Sequence, residues 1–301
     1  MFSTINATSS ATAQASYMSA KIYSTYPNIW PETIRALIIH SASWTDVMIE
    51  KYSYGNLKNK GNVNNLLRHC GYGIPDLSKA IQCAENSVNL IIEERITPYY
   101  KEKNSYKTNM NYHKLPWPKS ELEKLNDKDI KIKITLSYFI EPGPGQIGKT
   151  NKYRYQSCGL RFAIKDKYES DIEFKKRINE LSRNEDPNYI NSISQKWVIG
   201  KNNRDVGSIH SDYLEGGAIE FKEMDKIAIY PVTGWWKTRT NLKKFDKSIR
   251  YSLIVSLETP ETETNLYTSI INQIPSGKTI ISNTIDTSNK ETINFEQGEL
   301  F

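Results

Sequence analysis

The sequence is short of cysteine, of long apolar runs and of any stripe of one-signed charge. Its three cysteines, Cys70, Cys83 and Cys158, are an odd number at spacings that match no zinc pattern. That excludes a disulfide framework and points to a reducing compartment, the cytoplasm. No window approaches the roughly 18–20 uninterrupted apolar residues of a membrane span, and Met1-Phe2-Ser3-Thr4 lacks the basic, then apolar, then small-residue order of a secretion signal. No membrane partner is expected. The net charge is +6, unevenly laid out: from Glu258 to Phe301 seven acids meet only Lys278 and Lys290, a net of −5, so residues 1–257 carry +11. The lysines of that basic body are interleaved with acids, as in Glu121-Leu122-Glu123-Lys124 and Asp127-Lys128-Asp129. A solvated surface, not a nucleic-acid interface, is the reading.

What is present is a chain of 301 residues, 38% apolar, long enough for two domains at about 150 residues each. Ala11, Ala15, Met18 and Ile22 recur at helical spacing, so a helix is expected to about Tyr26, where Pro27 ends it. Trp30-Pro31-Glu32-Thr33 opens a second helix, with proline at the first helical position and Ile34, Leu37, Ile38 and Ser41 as its buried stripe. Tyr52 to Asn65, rich in Gly, Asn and Lys, reads as a long surface loop. A short helix over about Leu77–Ala84 and a strand over Val88–Ile92 follow. After about Arg95 the period changes to two. Ile130, Ile132, Ile134, Leu136, Tyr138 and Ile140 alternate with Lys131, Lys133, Thr135 and Ser137, and Leu160/Phe162/Ile164, Ile227/Ile229 and Tyr251/Leu253/Val255/Leu257 repeat the pattern. One helix, roughly Asp171–Ser182, interrupts the strands. Half-buried strands joined by Gly, Pro and Asn turns predict an antiparallel β-sandwich-like domain.

Several motifs could carry chemistry. Gly143-Pro144-Gly145-Gln146-Ile147-Gly148-Lys149-Thr150 fits the phosphate-loop pattern, but strand-like alternation through Tyr153–Phe162 follows where a helix must begin, so a hairpin loop is preferred. Ser208, His210 and Asp212 would share one face of a strand; a metal or catalytic cluster is one reading and the solvent side of a sheet the favoured one. Trp235-Trp236 could offer a stacking platform, with one ring in the core because strand neighbours point to opposite faces. His40 lies near a helix end, where packing is expected, and His69 and His113 lie in polar context without a paired acid. Finally, Asn6-Ala7-Thr8-Ser9-Ser10-Ala11 places Ser9 at a helix N-terminus, where the dipole and free N–H groups favour developing negative charge, or where a serine simply caps.

Thr8-Ser9-Ser10-Ala11-Thr12-Ala13, then Tyr26-Pro27, then Trp30-Pro31-Glu32-Thr33-Ile34-Arg35-Ala36-Leu37-Ile38-Ile39-His40-Ser41-Ala42, then Gly71-Tyr72-Gly73-Ile74-Pro75-Asp76-Leu77, resembles the nucleophile-bearing segment of the subtilisin-like serine proteases. Downstream, Thr135–Pro142, Tyr153–Ser157, Gly159–Phe162 and Tyr230–Lys237 look like the C-terminal β-domain of a bacterial, cytoplasmic-type branch. The resemblance implies that Ser9 is the nucleophile and that the substrate is a peptide or protein. It departs from the family in two respects: Ala7 stands where the family has glycine, and the family's Asp, His and side-chain oxyanion donor, which precede the serine in chain order, have no counterpart here. Calcium is common in the family, yet no ligand set for it is recognisable; no cofactor is expected.

The expected architecture is therefore an α/β fragment over residues 1–90, matching the C-terminal helices of a subtilisin-like catalytic domain, a β-sandwich-like domain over 91–272 and a flexible acidic tail over 273–301. Such a fragment is expected to leave apolar helix faces bare. The expected function is that of a serine endopeptidase's C-terminal portion, working with an upstream polypeptide that carries the Asp and His. The other reading is a catalytically dead interaction module.

Overall fold

A computed structural model describes residues 7–81, 87–102, 105–143, 155–183, 192–259, 280–281, 284–286 and 291–295. The chain opens with helices α1 (Thr8–Thr25), α2 (Pro31–Ser41), α3 (Asp46–Ser53), α4 (Lys60–Cys70) and α5 (Leu77–Ile81). Strands β1 (Ser87–Ile96), β2 (Tyr99–Glu102) and β3 (Ser105–Lys114), helix α6 (Lys119–Leu125), and strands β4 (Asp129–Tyr138) and β5 (Gly159–Ile164) follow. Next come α7 (Asp171–Arg183), α8 (Ser192–Lys196), α9 (Lys201–Arg204), β6 (Ile209–Gly217), α10 (Ala218–Phe221), β7 (Lys226–Val232), α11 (Trp235–Thr238) and β8 (Ile249–Glu258). Short strands β9 (Ile280–Ile281), β10 (Thr284–Asp286) and β11 (Glu291–Phe295) close the list.

The fold is mixed α/β with two sheets. One runs β6-β4-β8-β1-β10-β9 and the other β11-β3-β7-β5, with β2 also on β3. Every pairing is antiparallel except β1 with β10, which runs parallel. The period-2 residues do what their spacing demands: Ile132, Ile134 and Leu136 of β4, Leu160 and Phe162 of β5, Ile227 and Ile229 of β7 and Leu253 and Val255 of β8 meet in one core shared by both sheets. β1 pairs with β8 along its whole length, from Ser87↔Glu258 to Ile96↔Ile249.

The helical part is built onto the same sheet. Ile22, Tyr26, Ala36, Leu37 and Ala80 form a second apolar cluster with Ile91 of β1 and Ile254 of β8, so α1, α2 and α5 rest on the face of the first sheet that points away from the main core. This corrects the expectation of bare apolar helix faces for α2 and for the C-terminal half of α1. It also changes the meaning of β4: its second face, Thr135 and Ser137, is fully buried, because α2 and not water covers it. On the outer side of the other sheet, α7 packs Phe174 and Ile178 on Tyr112, Ala228 and Tyr230.

The loop expected over Tyr52–Asn65 is confined to residues 54–59, between α3 and α4. Asn59 caps α4, its side chain accepting from the N–H groups of Gly61 (2.8 Å) and Asn62 (3.2 Å), and Val63 and Leu66 are its buried stripe. Asn and Gly that look like loop composition are here the start signal of a helix.

Trp235 and Trp236 lie on α11, not on a strand, and both are buried. Their indole N–H groups donate to Glu141, Trp235 to its carbonyl (3.0 Å) and Trp236 to its carboxylate (3.1 Å), so neither ring is a stacking platform. Gly234 permits this. A Cβ there would stand 2.2 Å from the Ser157 carbonyl oxygen, although the backbone itself is extended at φ −143°. Gly234→Ala is expected to cost about 3 kcal/mol, the upper end for overpacking against rigid neighbours. A urea midpoint unchanged by this substitution would contradict the close approach.

Candidate functional site

Ser9 sits in the first turn of α1 with its side chain exposed. The residue in the cap position is Ala7, not a serine, and α1 has no side-chain cap and no acid in its first turn. The first N–H groups of α1 therefore carry the partial positive charge of the helix end without a side chain of this cap to quench it. Ser9 Oγ makes no hydrogen bond among the described residues, so the plain capping role is not the one it plays. Ala7 has φ −148° and ψ 142°, ordinary extended backbone, and its methyl group in place of the family's glycine introduces no strain.

The remainder of α1 is unusual in what it leaves uncovered. Of the expected stripe, Met18 and Ile22 are buried, whereas Thr8 to Tyr17 are exposed apart from the half-buried Ser10. On this exposed length Thr12 and Ser16 turn their hydroxyls back onto the carbonyls of Thr8 and Thr12, both at 2.9 Å, and Ser19 onto Ala15 at 2.8 Å. These three hydroxyls are satisfied within the helix, while Ser9, Ala11, Ala13, Gln14, Ala15 and Tyr17 are exposed. An isolated helix of this length is marginal in water.

α2 positions α1, and it is held from the sheet. Glu93 of β1 accepts from the backbone N–H of Trp30 (2.7 Å) and from the Thr33 hydroxyl, supplying from across the interface the N-terminal acceptor that α2 lacks in its own cap. Glu32 pairs with Arg250 at 3.1 Å, and Arg250 lies over the Trp30 ring at 5.1 Å. Arg35 spans the other end of the contact. Its Nε donates to Ser137 Oγ (3.0 Å), Nη1 to Ser208 Oγ (3.3 Å), and Nη2 to the carbonyls of Tyr138 (2.6 Å) and Ser208 (2.7 Å), while its plane lies over Phe139 at 4.4 Å. Lys133 of β4 donates to the Ala42 carbonyl at 2.7 Å, just beyond the end of α2. Sequence reasoning missed Arg35, Glu93 and Lys133; single charges inside an apolar helix or on the polar side of a strand give no local signal of what they will meet.

The third motif segment closes on the second. Ser43 and Ile74 form an antiparallel bridge, with N–H to carbonyl distances of 3.1 and 2.9 Å. Gly73, at φ +98°, lies against the Ser43 backbone, where a Cβ would stand 2.2 Å from its carbonyl oxygen, and Gly71 ends α4 at φ +57°. Both glycines of Gly71-Tyr72-Gly73 are thus required by conformation, and one of them by space as well.

The four histidines are all engaged away from Ser9. His40 Nδ1 faces Thr135 Oγ1 at 2.9 Å, and burial, with Lys133 and Lys131 nearby, holds its pKa well below the usual value. His69 bonds the Asn65 carbonyl and stacks on Tyr52, and His113 Nε2 meets the Tyr251 hydroxyl at 2.6 Å. His210 and Asp212 are completely buried, which overturns the solvent-side reading of that cluster. His210 Nδ1 donates to the Arg204 carbonyl (2.8 Å) and Nε2 faces Tyr138 and Arg161, both at 3.1 Å. Burial and the Arg161 charge push its pKa down to about 3, so the ring is neutral. Asp212 accepts from the backbone of Ile199, Gly200 and Tyr213, and burial raises it to about 6. It is a structural network with no accessible nucleophile. Of Gly143–Thr150 only Gly143 is described, its N–H donating to the Tyr155 carbonyl at 2.7 Å; the rest of that motif lies outside the described residues, as does Cys83. Among the described residues no group of three metal-ligating side chains comes together, and no helix is long and apolar enough to cross a membrane.

A protein-family model described as the subtilase family, of the S8 peptidases, matches residues 1–73. The match covers α1 to α4 and reaches Gly73; it includes Ser9 and none of the strands. No curated protein matches the chain. No solved structure does either.

Proposed function

We propose that this chain is the nucleophile-bearing portion of a serine endopeptidase, with Ser9 attacking a peptide carbonyl to form an acyl-enzyme. The observation that carries the reading is the placement of Ser9, exposed in the uncapped first turn of α1, within the residues that the subtilase model matches. The N–H groups of that turn are where a developing oxyanion gains most. A serine hydroxyl needs a base, and each histidine of this chain is committed to another partner. The His and Asp are therefore supplied by a polypeptide other than the described residues, seated on the exposed length of α1. The substrate is a peptide or protein. The two sheets form a sandwich-like domain that starts with β1 at Ser87 rather than at residue 91, takes in β9 to β11 beyond residue 272, and carries the helical part that precedes it. Free thiols at Cys70 and Cys158 suit a cytoplasmic setting.

The test is complementation. Mixed with a subtilase fragment that ends before the nucleophile segment, the chain is expected to hydrolyse a casein substrate, and Ser9→Ala to lower the rate at least about 10³-fold, as for loss of a nucleophile. Hydrolysis by the chain alone, or full activity of Ser9→Ala, overturns the proposal. Complex formation without hydrolysis favours the interaction-module reading, for which the exposed face of α1 is the specific observation.

A further inference from the structure

The seam between α2 and the first sheet is only partly apolar. Ala36 and Leu37 meet Ile91 and Ile254 there. Around that contact the face under α2 is polar: Lys133, Thr135 and Ser137 of β4, Ser211 and Tyr213 of β6, and Ser252 and Ser256 of β8 all lie on it by register. Four buried polar atoms of the seam make no hydrogen bond among the described residues, namely Glu32 Oε2, His40 Nε2, Ser252 Oγ and Ser256 Oγ. Each is a penalty that contact with water would remove. The large core between the two sheets lies on the other face of β4 and β8 and is a separate cluster, so the seam can part without disturbing it.

Lys133 is the cation of this seam. Its Nζ donates to the Ala42 carbonyl at 2.7 Å, just past the end of α2, and it forms no ion pair among the described residues. The titratable groups that face it are Lys131 on its own strand, Tyr213 and Glu215 of β6, Glu258 of β8, Lys79 of α5 and His40 of α2. Lys131 lies 3.9 Å from Glu215 and over the Tyr213 ring at 4.2 Å. A proton on Lys133 therefore places a third ammonium beside Lys131 and Lys79, with its one hydrogen bond made to a carbonyl and not to a carboxylate. Burial and the Lys131 charge lower the Lys133 pKa to about 7, and burial with the same two lysines keeps His40 neutral through this range.

We propose that the seam is a proton-operated latch: uptake of a proton by Lys133 as the pH falls towards neutrality releases α2, and α1 with it, from sheets that stay folded. In the open form the ammonium is in water, where a lysine titrates near 10.4. Between that value and the lowered one the open form holds a proton that the closed form lacks, so falling pH favours opening; below the lowered value both forms hold it and the effect levels off. The opening itself makes no use of Ser9. Its consequence rests on the endopeptidase reading: because α2 seats α1, mild acid unseats the helix that carries Ser9.

Hydrogen exchange of the full chain, followed by mass spectrometry of its peptides and corrected for the intrinsic rate at each pH, tests the latch. From about pH 8.5 to about pH 6 the protection of the α2 amides is expected to fall at least tenfold, whereas that of β7, which packs in the main core and not on the seam, changes less than about threefold. In Lys133→Met the α2 protection is expected to stay within about threefold over the same interval. Ser9→Ala is expected to behave as the parent, which separates this result from the fate of the endopeptidase reading. Loss of α2 and β7 protection in step means that the whole chain unfolds and overturns the latch. So does α2 protection that fails to fall with pH, or the parent's pH dependence persisting in a folded Lys133→Met chain. The first two outcomes are read on the parent alone and decide the matter even if the variant does not fold.

Discussion

Arg35→Met is expected to lower the stability of the chain by about 3 kcal/mol, the upper end for leaving buried hydrogen-bonding groups without their partner. The side chain makes four hydrogen bonds, to two hydroxyls and two carbonyls of the β4–β6 end of the sheet. Methionine keeps much of the stem and the contact with Phe139, so the loss reports on the guanidinium. The Ser137 hydroxyl and the Tyr138 carbonyl that it leaves behind belong to fully buried residues and have little water to turn to. Arg35→Lys retains the charge but not the fork, and is expected to recover less than half of the loss. Urea denaturation at pH 7 measures all three proteins. A Met variant within 1 kcal/mol of the parent would mean that α2 is held by its apolar stripe alone, and that the helical part is more loosely joined to the sheet than the geometry requires.

Lys133 gives the second large effect, and it depends on pH. Burial, reinforced by the like charge of Lys131 and only partly offset by Glu258, pulls its pKa down to about 7, with Lys79 of α5 also near. His40 of α2 approaches the same face from its bond to Thr135, and Tyr213 of β6 is the direct cross-strand neighbour of Lys133. In the unfolded chain the lysine titrates near 10.4. Between these values the unfolded state binds more protons than the folded one, so stability rises with pH. The rise from pH 7 to pH 9 is expected to be about 1–2 kcal/mol, reduced from the full linkage value because the residue keeps some contact with solvent. Cys158 works in the opposite direction over the same window, since burial raises its thiol to about 12 and the folded state then holds a proton that the unfolded chain releases. Lys133→Met removes the first contribution and leaves the second, so the variant should lose stability over the interval in which the parent gains it. Parallel slopes for the two proteins would place the Lys133 ammonium in water.

The helices α1 and α2 are readable because their signals are local. Pro31 at the first position of α2, Pro27 after α1 and the apolar spacing of Met18 and Ile22 need no tertiary information. The period-2 strands were readable for the same reason. The two sides of β4 were not equally legible. Alternation says that Lys131, Lys133, Thr135 and Ser137 share a face, but water and the polar side of a docked helix impose the same pattern, and only the fold decides for α2. His210 and Asp212 were misjudged by the same logic: their face is the inner one, where an arginine pair and backbone donors satisfy them. Trp235 and Trp236 read as strand neighbours in the sequence, yet Gly234 lets the chain turn into a helical segment against Ser157, and both rings go inward. The exposed half of α1 carries a lesson of the other kind. Ala11 and Ala15 have the spacing of a buried stripe, and nothing among the described residues covers them.

Active-site labelling most directly distinguishes a nucleophilic Ser9 from an idle serine in a helix turn. The full chain, alone and mixed with a subtilase fragment carrying the Asp and His segments, would be treated with a fluorophosphonate, and the modified residue located by mass spectrometry of its peptides. A single adduct on Ser9 is expected, formed only in the mixture and absent from Ser9→Ala. Modification of a different serine, or no adduct on Ser9 in a mixture shown by gel filtration to contain the complex, would contradict it.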